Sequence, residues 1–210
     1  MQRGVIALAD AQSVAELDGI EGSAARAYFE ALFTNYNRSP FSWPGRVKHP
    51  ATDPLNALLS LGYTMLMNEL LGLAEARGLD PALGFLHELD GNRPSLALDL
   101  MEPFRHAAVD RMVLTAVNRN TFTPDDFSDR GPQSGLALKP EAFRRYLEEY
   151  ERSMLSPMVV AGGAEATRVS FRSLFQAELD HLARALRGTE PWAPFAFPPA
   201  PATEPAKPPE

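Results

Sequence analysis

The chain has 210 residues, 45% of them hydrophobic and 22% charged, with a formal net charge of -7 from 27 acidic and 20 basic side chains. That length can bury one sizeable core, and the acidic balance argues against broad, charge-driven coating of nucleic acid, so any DNA contact must come from local basic patches or from a metal. The absence of cysteine excludes disulfides, thiolate catalysis and cysteine-ligated zinc or iron–sulfur centres, and the apolar run Val5 to Ala9 is too short for a signal segment or a bilayer span, so a soluble, cytoplasmic protein without a membrane contact is expected.

Helical periodicity dominates from end to end, which predicts an all-α fold. Ala7 to Leu17 reads as a short helix, and Glu21 to Phe33 as a better one, with Tyr28, Leu32 and Phe33 on or beside an apolar stripe. Asn35 to Pro50 carries Pro40, Pro44 and Gly45 and reads as a loop. Asp53 then caps a helix that opens on Pro54, presents Leu55, Leu58, Leu59, Leu66 and Leu70, and stops at Gly78. An irregular connection holds His87. From Ser95 the pattern is helical to about Arg119, with Pro103 kinking or dividing it just after Glu102. Thr121 to Gly135 is turn-rich, with at most a small hairpin near Leu136-Ala137-Leu138. Pro140 opens a helix through Tyr146, Tyr150 and Met154, and a last one runs from roughly Ala166 to Arg187 and ends at Gly188. The expected organisation is a helical domain over 1–188 and a Pro/Ala-rich, extended, disordered tail over 189–210.

One constellation carries chemistry. His87 is followed by Asp99 and Glu102, which fall three apart on one helical face. Neutral imidazole with carboxylate oxygens suits a divalent cation such as Mg2+ or Mn2+, and so a phosphoryl-transfer site. Each residue alone has a plainer reading: two acids near a helix N-terminus are favoured by its dipole, and a histidine among Phe85, Leu86 and Leu89 can be a core residue bonded to backbone. Asn56 reads as a buried hydrogen-bonding residue, and His49 and His106 as residues outside any site. Glu178-Leu179-Asp180-His181 matches the Glu-x-x-His unit of di-iron bundles, but no second copy is present.

Four segments occur in order: Leu17-Asp18-Gly19-Ile20-Glu21-Gly22-Ser23-Ala24-Ala25-Arg26, Asp53-Pro54-Leu55-Asn56-Ala57-Leu58-Leu59, Gly84-Phe85-Leu86-His87-Glu88, and Arg93-Pro94-Ser95-Leu96-Ala97-Leu98-Asp99-Leu100-Met101-Glu102-Pro103. Together they closely resemble the α-helical catalytic domain of the CRISPR-associated adaptation integrase, CRISPR-associated protein one, over about Glu16 to Arg187. The resemblance implies a Mg2+- or Mn2+-dependent DNA endonuclease and integrase that inserts spacer DNA by transesterification. It implies Glu21, His87 and Glu102 as metal ligands, and an acid at Asp99 that aids metal binding or orients the site. It also implies CRISPR-associated protein two as a structural partner and a homodimer in the full-length family. That full-length form carries a β-rich N-terminal domain before the helical one, so this chain is expected to be a truncated, split or differently assembled member. Arg26, Arg93 and Arg105 are the candidate contacts to DNA phosphates, because guanidinium binds phosphate oxygens in bidentate fashion. A non-catalytic helical DNA-binding or assembly module is the alternative reading, and a di-iron bundle a remote third.

Overall fold

The structure, a computed structural model, describes residues 13–47, 50–87, 93–162 and 165–197. The expected all-α architecture is present, with six α-helices and two small antiparallel strand pairs among the described residues. The chain divides into two compact units, one built from residues up to Met65 together with His106–Glu151, the other from Leu66–Arg105 and Arg152 onward.

In the first unit, α1 (Val14–Tyr36) begins at Ser13, whose side chain accepts from the Glu16 amide at 3.3 Å. The two helices expected over Ala7–Leu17 and Glu21–Phe33 are one helix from Val14; no proline interrupts it, and Gly19 and Gly22 face open space. Residues 7–12 lie outside the described residues. Phe29 and Phe33 are buried, and the Trp43 ring stacks on Phe33 at 4.3 Å, so the expected 35–50 loop is folded onto its own helix. Asn56, fully buried, fixes that loop: its amide donates to the Gly45 carbonyl (2.8 Å) and the Asp53 carboxylate (2.7 Å), while its oxygen accepts from the Val47 amide at 3.0 Å. Lys48 and His49 are outside the described residues.

Helix α2 (Pro54–Glu75) gives its residues up to Met65 to the first unit and the rest to the second. By length and composition it could cross a membrane, but Leu55, Leu58, Leu59, Leu66 and Leu70 are at most 1% exposed, as expected of a core helix. A methyl group at Gly62 would collide with the Tyr146 hydroxyl and Val109, which makes glycine a packing requirement there. The first unit continues with a π-helical turn (His106–Asp110), α4 (Arg111–Asn118), and a β1 (Phe127–Asp129) to β2 (Leu136–Leu138) pair in the register Ser128 to Ala137. Helix α5 (Pro140–Leu155) buries Ala142, Tyr146, Tyr150 and Met154 on one side.

The second unit holds α3 (Ser95–Met101), the β3 (Met158–Gly162) to β4 (Glu165–Val169) hairpin, and α6 (Phe171–Leu186). The expected helix from 95 to 119 is divided: α3 stops at Met101, Glu102 is its C-cap, and Pro103 lies in the turn that follows. The last helix starts at Phe171, capped by Ser170, and the residues expected to be its first turn belong to β4. The tail expected over 189–210 is corrected over 189–197. It carries no regular secondary structure but is docked: the Phe195 amide donates to Glu178 at 3.1 Å and the Phe195 ring stacks on Phe104 at 5.2 Å. Residues 198–210 are outside the described residues.

Candidate functional site

The chain leaves α2 through Gly78 in the left-handed conformation and runs without regular structure to His87. That loop is moored at both ends of its contact with α3. The Leu96 amide donates to the Pro81 carbonyl at 2.9 Å, and the loop's last residues wrap the Asp99 side chain. Backbone amides of Phe85 (2.5 Å) and Leu86 (2.9 Å) donate to Asp99 Oδ2, and the His87 amide (3.2 Å) to Oδ1. His87 Nδ1 meets the same Oδ1 at 2.5 Å. The Asp99 side chain has no exposed surface, whereas 29% of His87 is exposed. Burial alone would raise the Asp99 pKa; the bonds from the Leu86 amide, the His87 ring, and the Phe85 and His87 amides outweigh it and hold the carboxyl below its ordinary value.

Both Asp99 oxygens are engaged by the loop, Oδ2 by the Phe85 and Leu86 amides and Oδ1 by the His87 amide and ring. With a carboxylate accepting at Nδ1, the imidazole carries its proton there and keeps Nε2 for another partner, the arrangement in which a carboxylate orients a metal-binding histidine. Gly84 makes the wrap possible: an added methyl would stand 2.6 Å from Asp99 Oδ2 and 2.8 Å from the Ser95 side chain. Sequence reasoning passed over Gly84, although a glycine directly before an aromatic and a candidate ligand is the usual sign of a close backbone approach.

Glu102, three residues on, is one-third exposed. Both its oxygens receive Arg105 Nη1, at 2.8 and 3.1 Å, so this guanidinium neutralises a candidate ligand. Arg93 is exposed just before α3. Glu21 and Arg26 belong to the first unit, both exposed on α1; Glu21 lies well inside the helix, not at its start. In neither unit do three His, Asp or Glu side chains of the described residues stand together as a ready-made cage. The second unit by itself brings together His87 and Asp99, with Glu102 three residues further along the chain at the end of α3. Their donor set of imidazole nitrogen and carboxylate oxygen fits Mg2+ or Mn2+.

The rival Glu-x-x-His unit is engaged by the chain beyond α6. Glu178 Oε1 accepts from the Phe195 amide, and His181 Nε2 donates to the Pro191 carbonyl at 3.1 Å. Both side chains hold the 189–197 segment against α6.

The fold is one found in proteins of known structure. A Cas1 protein from Thermotoga maritima superposes with a TM-score of 0.78 at 30% identity, over 91% of this chain and 60% of that one. A casposase bound to integration product gives 0.79 at 28% identity, over 91% and 53%. In a Cas6-RT-Cas1–Cas2 complex the matched chain gives 0.74 at 25% identity, over 90% and 20%. Among curated relatives, a CRISPR-associated endonuclease Cas1 of Moorella thermoacetica is 37% identical over 94% of this chain and 57% of its own length. One from Thermus thermophilus is 36% identical over 91% and 60%. The family model described as CRISPR associated protein Cas1 matches residues 1–152. The chain belongs to the Cas1 family, and spans less than two-thirds of the length of these relatives.

Proposed function

We propose that this chain supplies the helical metal-binding part of a DNA endonuclease and integrase of CRISPR adaptation, dependent on Mg2+ or Mn2+. The observation that carries the reading is the His87–Asp99 pair. A buried carboxylate, wrapped by three backbone amides, holds one imidazole with Nδ1 engaged and the ring partly exposed. A core histidine bonded to backbone would not require a buried acid dedicated to its orientation.

His87 and Glu102 would hold the cation. Bound there, it supplies Lewis-acid polarisation of a phosphodiester and neutralises charge as a DNA oxygen is displaced. The residues do the positioning. Asp99 keeps the proton of His87 on Nδ1, so that Nε2 stays a donor of electrons. Arg105 balances Glu102 before a cation is present, and Arg26, Arg93 and Arg105 offer guanidinium groups to backbone phosphates. With no cysteine in the chain and no serine in a nucleophile elbow, direct attack by water or a 3′-hydroxyl is the simpler route than a covalent enzyme intermediate. The similar structures include a complex of Cas1 with Cas2 and a casposase bound to integration product. By that likeness, DNA is the substrate and a Cas2 protein the partner.

The test is metal-dependent nicking and joining of branched DNA by the protein with Cas2 present. Chelation should abolish it, and His87→Ala should lower it by about a thousandfold while the melting temperature stays within a few degrees. Undiminished turnover by His87→Ala would remove the reading.

A further inference from the structure

Beyond α6 the chain reverses. Gly188 adopts a φ of +75°, and the Thr189 amide returns to the Arg184 carbonyl at 3.2 Å. From there the segment runs back along the helix in three steps. Arg184 Nε pairs with Glu190 at 2.7 Å, His181 Nε2 with the Pro191 carbonyl, and Glu178 with the Phe195 amide. Residues 178, 181 and 184 recur at helical spacing on one stripe, so these bonds lay a proline-bearing strap along a single face of α6.

The rings of that strap reach both parts of the candidate site. Trp192 packs on Phe85 at 4.8 Å, two residues before His87. Phe195 stacks on Phe104 at 5.2 Å with the rings 14° apart, and Phe197 meets the same ring edge-on at 6.2 Å. Phe104 is fully buried and stands two residues after Glu102. Both segments need such support. The 84–87 loop has no regular structure, and Asp99 holds its amides and the His87 ring from one side chain only. Glu102 sits where α3 has ended and Pro103 prevents its continuation.

We propose that the 189–197 strap positions the proposed metal site, with Trp192 holding the His87 loop through Phe85, and Phe195 holding the Glu102 turn through Phe104. This rests on the reading of His87 and Glu102 as metal ligands. Trp192 and Phe195 touch neither cation nor DNA; they are positioning residues. Errors of about 1 Å in a ligand's place are costly to a site of this kind, and aromatic pairs of this geometry add packing to what the hydrogen bonds already hold.

The experiment uses the full 210-residue chain and the variants Trp192→Leu, Trp192→Phe and Phe195→Leu. It reads amide hydrogen exchange in the metal-free protein, Mn2+ affinity from the free-ion paramagnetic resonance signal, and thermal unfolding. In Trp192→Leu, protection of the Phe85, Leu86 and His87 amides should fall about tenfold while amides in the middle of α6 keep theirs. Its Mn2+ affinity should drop about tenfold, as when the support behind a ligand is removed. Trp192→Phe should restore both, since it keeps an aromatic face against Phe85. Phe195→Leu should weaken Mn2+ binding with little change at amides 85–87. Exchange that rises uniformly in step with a lower melting temperature would overturn the proposal, as would wild-type Mn2+ affinity in both leucine variants or failure of Trp192→Phe to rescue. If the wild-type chain bound no Mn2+, the metal reading would fail, while amide exchange would still decide whether the strap holds the loop.

Discussion

Two aspartates, one in each unit, are buried almost equally and used in opposite ways. Asp99 is 5% exposed and Asp110 2%. Asp99 collects three backbone amides and an imidazole from a loop that would otherwise be loose. Asp110, at the end of the π-helical turn, instead accepts the hydroxyl of Tyr28 at 3.0 Å and that of Tyr63, both from helices. Neither acid is stabilising merely by being inside; each offsets the cost of burial through its donors. The donors decide the role. Phenols tie one acid into a helical core, whereas a ring nitrogen with a second electron pair turns the other into the back of a candidate site.

The sharpest break of this comparison is Asp99→Asn. An amide cannot accept from every group that the carboxylate serves, so a buried donor is left unpaired at a cost of about 1–3 kcal/mol. Nicking activity should fall about 10- to 100-fold because the imidazole loses its orientation. A melting curve and a nicking assay read the two effects, and a loss of stability without loss of activity would put Asp99 in the same class as Asp110.

Gly84→Ala tests the same wrap from the loop side. Its methyl would press on Asp99 and on the Ser95 backbone, and overpacking of this kind costs about 1–3 kcal/mol. Urea unfolding should register that loss, with a smaller decline in activity than in Asp99→Asn.

The two acids also separate by pH. Asp99 has a folded pKa below its ordinary value, so its contribution is complete above about pH 4 and is lost as pH falls through the folded value. Tyr28 and Tyr146 are shifted the other way: burial first, then the charge of Asp110, hold both hydroxyls well above their ordinary value of 10. Their contribution is complete below pH 10 and is lost as pH rises above it, because the unfolded chain releases those protons first. Unfolding midpoints measured from pH 3 to 11 should decline at both ends. Asp99→Asn should flatten the acid limb and Tyr28→Phe the alkaline one; exchange of those two outcomes would contradict the assignment.

The smallest effect is expected at Arg105. Arg105→Gln removes the cation that neutralises Glu102, so Mn2+ affinity should rise by a factor of about three while DNA affinity falls by a similar factor and its salt dependence weakens. Titrations with Mn2+ and with labelled duplex distinguish this from a purely structural ion pair, which would move neither.

Much of this was legible in the residues. The helices at Pro54 and Pro140 carry their caps and apolar stripes within a few residues, and such local signals survive folding unchanged. The β3 to β4 hairpin was missed even though Val159, Val160 and Val169 flank Gly162-Gly163, because its short apolar runs adjoin helices with the same composition. The strap was missed for a related reason. Proline and alanine do predict an extended backbone over 189–197, but whether such a segment floats or docks depends on aromatic partners far earlier in the chain, at Phe85 and Phe104.

What the amino-acid sequence alone determined is the all-α class and the family, since helix period and ordered motifs are local properties of the chain; it offered His87, Asp99 and Glu102 as candidates for one site. Tertiary structure alone decided the division of labour among them. Asp99 lies inward because α3 buries that face, Glu102 lies at the helix end where Arg105 can reach it, and the imidazole is turned by an acid twelve residues away. Side-chain direction and burial arise from packing between segments, and no spacing rule carries them.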